Sequence, residues 1–171
     1  MDGQALRGLR GRQVRAGARS SRELGLTLIE ILIVIAILAV VATIGIPALI
    51  QELNRIKIKK AISDLIAIEF EIHRYQDEFE QLPEEIEDLD KLDAHPRIDP
   101  WGHPYVYFKF GGHGWKGKAR KDRFLVPINS SFDLYSIGPD GESRPPLQNP
   151  KSFDDIVRAN DGAFYGLGRD F

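Results

Sequence analysis

Between Leu26 and Ile46 the chain runs through 21 residues of which one, Glu30, is ionisable. About twenty apolar residues suit a membrane-spanning helix. A carboxylate five residues into such a run is costly, by up to a few kcal/mol on insertion scales, and marks a function. This run therefore fixes most of what the chain can become: one long apolar helix with a single polar group near its start, and whatever else folds beside it.

The segments around the run limit it further. Before it come Arg7, Arg10, Arg12, Arg15, Arg19 and Arg22, against only Asp2 and Glu23. A secretory signal has a shorter apolar stretch and a small-residue cleavage site after it. Here the small residue, Gly25, stands before the stretch, and Gly45-Ile46-Pro47-Ala48 behind it is a poor site. Cleavage after Gly25 would remove the basic leader and make Leu26 the new N-terminus. The arginines favour the leader side as cytoplasmic, with the remainder outside the cytoplasmic membrane. A plain signal anchor is the simpler alternative. In it Glu30 would sit near the headgroups.

Past Pro47 the pattern changes. Ile58, Ile62, Leu65, Ile68, Ile72, Tyr75 and Phe79 recur every three or four residues, the spacing of one helix face. Lys59, Lys60, Asp64, Glu71, Arg74 and Glu78 fall on the other face. Pro83 ends the helix near Leu82. The apolar stripe is expected to dock on a sheet of the same chain; a coiled coil of about three heptads is the rival.

Some 171 residues, less a leader and a long helix, leave roughly 90 for a compact domain with one small core. Cysteine is absent, so packing or a metal must hold it. The sequence predicts a short helix through Glu84–Leu89, a turn cluster from Asp99 to Pro104, and strands over 105–110, 123–128 and 132–137. A Gly-rich basic hairpin loop over 111–122 joins the first two strands. The expected class is α+β, a long helix on an antiparallel sheet of about three strands with an irregular C-terminal loop.

Gly25 followed by Leu-Thr-Leu-Ile-Glu and a continuous Ile/Leu/Val/Ala run resembles the type IV prepilin signal of pilins and type II secretion pseudopilins. Asp99-Pro-Trp-Gly-His-Pro-Tyr105 and Asp133-Leu-Tyr-Ser-Ile-Gly-Pro-Asp-Gly141 are similar to two signatures of the major, G-type pseudopilin. That family reads Asn where His103 stands and Ala where Pro139 stands, and most often Phe at Leu26. The resemblance covers the chain except the detail of the leader and the tail after Arg144.

It implies a type IV pilin-like fold divided as leader 1–25, filament-core helix 26–47, amphipathic extension 48–82 and periplasmic domain 83–171. It implies cutting after Gly25 by a prepilin peptidase and methylation of the Leu26 amine. Glu30 would neutralise that amine on a neighbouring subunit, and Pro47 would mark a segment that unwinds on assembly. The implied function is a structural subunit of a type II secretion pseudopilus. It would form a homo-oligomeric filament built on an inner-membrane assembly platform with minor pseudopilins. A type IV pilus subunit for adhesion, motility or DNA uptake, or a membrane-anchored binding module that never polymerises, are the alternatives. The family also binds calcium in the C-terminal loop. By resemblance Asp140, Asp154 and Asp155 would supply carboxylates and Ile137 a carbonyl. The alternative for these acids is a solvated surface with a helix cap at Ser152 or Asp154, and the apolar 163–167 stretch could replace the ion by packing.

Other chemistry finds no support in the sequence. No G-x-S-x-G, P-loop, C-x-x-C, H-E-x-x-H or EF-hand spacing is present. His73, His95, His103 and His113 read as surface or turn residues, and Trp101 as core. Lys116, Lys118, Arg120, Lys121 and Arg123 read as a solvated hairpin tip rather than a nucleic-acid surface. An enzyme reading has no residues to carry it.

Overall fold

The computed structural model describes residues 25–91, 96–111 and 113–171. The basic leader with its six arginines, His95 and Gly112 lie outside the described residues. The chain divides between Thr43 and Ile44 into two compact units, and one helix, α1 (Leu28–Phe79), contains that division with Pro47 inside it. Proline leaves the carbonyl four residues back without its N–H. Here that is Thr43, whose hydroxyl back-bonds to Ala39 O at 3.1 Å and Val40 O at 2.6 Å. Glu80, in the left-handed conformation at φ +56°, ends the helix. A 3-10 helix over Ile86–Lys91 stands near the predicted short helix.

Four antiparallel strands form the sheet in the order β1 (Val106–Lys109), β2 (Phe132–Ser136), β3 (Ile156–Ala159) and β4 (Phe164–Leu167). Val106 pairs with Tyr135, Tyr135 with Val157, and Val157 with Gly166. The sheet therefore has four strands rather than three, and its second half comes from the tail. The predicted strand at 123–128 is instead a tight turn. The Asp122 carboxylate accepts the N–H groups of Phe124 and Val126 at 2.8 and 2.9 Å. Leu125 takes φ +61°, and Pro127 cannot donate to a ladder. The basic loop beyond β1 carries a one-turn helix, α2 (Trp115–Lys118).

Strand alternation sends β2 and β3 side chains to two faces. Phe132, Leu134 and Ile156 meet the α1 stripe in a core with Ala61, Leu65, Ile68, Ile72, Tyr75, Leu89 and Tyr105. Leu65, Ile68 and Ile72 are fully buried, each contributing about 1.5–3 kcal/mol. Trp101 is half-buried against this core. On the other face Val157 and Ala159 pack with Ile128 and Leu147, so a loop layer covers the side the helix leaves open. Asp64 departs from the pattern. Read as solvent-facing, it is buried on the core side, where its carboxylate accepts the Tyr105 hydroxyl at 2.9 Å.

Candidate functional site

Gly25, Leu26 and Thr27 precede α1, outside any helix or strand. Thr27 and Glu30 stand in the S/T-x-x-E arrangement that closes a helix N-terminus. Glu30 N–H donates to Thr27 Oγ1 at 3.3 Å, and Thr27 N–H donates to Glu30 Oε2 at 3.4 Å. The Glu30 carboxylate thus folds back to within one residue of the Leu26 nitrogen. The Thr27-x-x-Glu30 spacing is the sequence signal for this capping.

Every Leu, Ile and Val from Leu26 to Ile56 is between 46% and 84% exposed. Among the described residues this one helix is long and apolar enough to cross a membrane. An apolar helix exposed all round has two stable surroundings, lipid or other helices like itself.

The two domain segments 99–105 and 133–141 are hydrogen-bonded to each other. Asp99 Oδ1 accepts the N–H groups of Trp101 and His103 at 3.0 and 2.9 Å, closing its own turn. Asp99 Oδ2 accepts the Ser136 hydroxyl at 2.5 Å, and His103 Nδ1 meets the Gly138 carbonyl at 2.9 Å. Gly138 requires its residue type: φ is +68°, and a Cβ there would lie 2.5 Å from Asp154 O. Sequence reasoning named both segments but not their contact.

The acidic set expected to hold calcium is not assembled. Asp140 is exposed, and its Oδ1 accepts the Glu142 N–H at 2.8 Å in a local turn. Asp154 Oδ2 accepts the Asp140 N–H at 3.3 Å. Asp155 is fully buried and ion-paired with Arg120. Ile137 is half-buried just before the Gly138 turn. Among the described residues no group of three or more His, Cys, Asp or Glu could hold a metal ion. The apolar 163–167 stretch supplies β4, where Tyr165 and Leu167 pack on one core and Phe164 on the other, and Asn149 caps the short helix at 150–152, accepting the Lys151 N–H at 3.1 Å. Arg120, read as part of a solvated tip, is 2% exposed. Burial raises the Asp133 carboxyl above the ordinary carboxylate range, although the Arg120 N–H and Asn129 bonds oppose this.

A long N-terminal helix docked by its second half on a small antiparallel meander, with Glu30 the one ionisable residue between Leu28 and Ile46, is the type IV pilin-like architecture. The family model described as the prokaryotic N-terminal methylation motif matches residues 20–46. The chain is 28% identical over 141 residues to the type II secretion system core protein G of Escherichia coli, covering 72% of this chain and 86% of that one. It is 29% identical over 153 residues to the protein of the same name from Klebsiella pneumoniae, covering 79% and 93%. With the Pseudomonas aeruginosa protein of that name it shares 28% over 136 residues, covering 69% and 84%. No solved structure matches the chain. The motif and these relatives support a pseudopilin, and the resemblance to the G type read from 99–105 and 133–141 extends along most of the chain.

Proposed function

We propose that the chain is a structural subunit of a type II secretion pseudopilus and not an enzyme. It is made as a prepilin, cut after Gly25 by a prepilin peptidase and methylated on the Leu26 amine. Its apolar helix holds it in the inner membrane, with residues 83–171 on the periplasmic side, until an assembly platform draws it into a homo-oligomeric filament with minor pseudopilins. The filament pushes exported proteins outward. The observation that carries this reading is the pairing of a methylation motif with a helix whose apolar residues are exposed on every side.

Glu30 has a role in each state. In the lone subunit its carboxylate caps its own helix through Thr27. In the filament it turns to the Leu26 amine of a neighbour, where two opposite charges in an apolar bundle set the axial register. Pro47, which removes one helical hydrogen bond, marks where α1 unwinds on assembly.

Expression of Glu30→Ala in the natural host tests this. The variant is expected to insert in the membrane at the normal level while filaments and protein export are lost. Unchanged filaments would refute the amine pairing. Loss of adhesion or motility on deleting the gene, with export intact, would move the subunit to a type IV pilus.

A further inference from the structure

The calcium that the resemblance implies meets a chemical obstacle in this chain, because one of its implied carboxylates, Asp155, already binds a cation. Arg120 Nη2 is hydrogen-bonded to Asp155 Oδ2, and Nη1 donates to the Ser143 hydroxyl and, at 2.8 Å, to the Arg144 carbonyl. The Ser143 hydroxyl donates to the same Asp155 oxygen at 2.7 Å. Carboxylate, hydroxyl and carbonyl are the hard oxygen donors that calcium selects. Here they receive the planar fork of a guanidinium instead.

The surroundings fix that fork in place. Its carbon lies 4.5 Å from the Tyr135 ring centre, a cation–π distance. Ser152 secures the Arg144 peptide from both sides, accepting its N–H at 2.9 Å and donating to its carbonyl at 2.7 Å. The backbone around Arg120 is tied as well: its N–H donates to Asp133 Oδ2 at 2.6 Å, and its carbonyl accepts the Ile128 N–H at 3.0 Å. One side chain thus cross-links the loop after α2, the turn at 143–144 and the head of β3. The Arg120 and Asp155 side chains are 3% and 0% exposed. A divalent ion would have to share one buried carboxylate with a buried guanidinium, so like charges would meet in a medium that screens them poorly.

We propose that Arg120, bound to Asp155 of the implied calcium set, is the internal cation that fastens the C-terminal loop of this protein, and that the order of the loop is independent of calcium. Of the other implied ligands, Asp140 Oδ1 accepts the Glu142 N–H and Asp154 Oδ2 accepts the Asp140 N–H.

Thermal unfolding of the full chain in detergent, followed by near-ultraviolet circular dichroism, tests the proposal with calcium ions alone as the probe. The wild-type Tm is expected to be the same in excess chelator and in millimolar calcium chloride. A calcium-dependent rise in the wild-type Tm would overturn the proposal. Arg120→Met, which strands Asp155, is expected to lower Tm by roughly 6–20 °C, and an unchanged Tm would also overturn it. If that variant does not fold, Ser143→Ala removes one guanidinium acceptor and is expected to melt lower than wild type, again without response to calcium. A calcium response in Ser143→Ala, or a wild-type Tm for it, counts against the internal cation.

Discussion

Arg158 Nε on β3 donates to Glu69 Oε1 on α1 at 2.8 Å, joining residues 89 positions apart. The guanidinium lies 4.1 Å from the Phe132 ring centre and donates through Nη1 to Asn129 Oδ1 at 3.0 Å. The pair sits inside the helix–sheet core, 2% and 10% exposed. Hydrophobic burial is non-directional, so it can hold the stripe of α1 against the sheet but cannot choose the axial position. A buried ion pair with one geometry can.

Breaking that pair from one side leaves a buried charge. Glu69→Ala is expected to destabilise the domain by about 3–5 kcal/mol, read as a lowered midpoint of urea unfolding of the full chain in detergent. The double replacement Glu69→Leu with Arg158→Met is expected to recover much of that loss. Equal losses in the single and double variants would show the two side chains to be uncoupled.

Asp99 joins segments 99–105 and 133–141 through Trp101, His103 and Ser136. Asp99→Ala strands three donors, and each buried unsatisfied group costs about 1–3 kcal/mol. The variant should unfold at markedly lower denaturant. Asp99→Asn, which keeps two acceptor lone pairs, should fall between it and wild type.

Gly138→Ala is expected to destabilise by more than about 1 kcal/mol, because it combines a positive φ with a clash against Asp154 O. Gly25→Ala, where a Cβ would meet nothing within 4 Å, should leave stability unchanged. Comparing the two melting curves separates a backbone requirement from a processing one.

Tyr105 and Tyr107 are held neutral. Burial pushes both phenols above their ordinary value of 10.0, and the Asp64 carboxylate adds to the effect at Tyr105. In the folded state each keeps its proton to higher pH than in the unfolded chain. Their contribution to stability is therefore complete below about pH 10 and declines as pH rises above it. Wild type should lose stability steadily above that pH, and Tyr105→Phe should lose it less steeply. Parallel alkaline limbs would contradict the assignment.

The N-terminal half was legible because its information is local. The 21-residue apolar run, Gly25 and Glu30 need no tertiary partner to be read. The amphipathic stripe likewise gave Leu65, Ile68 and Ile72 as core, since helical period alone sorts them. What failed was polar burial: Asp64 and Arg120 look like surface residues until Tyr105 and Asp155 come near them from distant segments. The four-residue strands β3 and β4 were hidden for a related reason. Ile156–Ala159 contains Arg158, and Phe164–Leu167 contains Gly166, so neither shows clean alternation. Asp122 hid the opposite error, since the 123–128 run has strand-like composition and a side-chain bond that forces a turn.

The mass of the mature N-terminus, measured on protein purified from membranes of the natural host, tests the central claim most directly. The account predicts a chain that begins at Leu26 and carries one methyl group on its α-amine. A chain that begins at Met1, or one cut beyond Ile46, would contradict it.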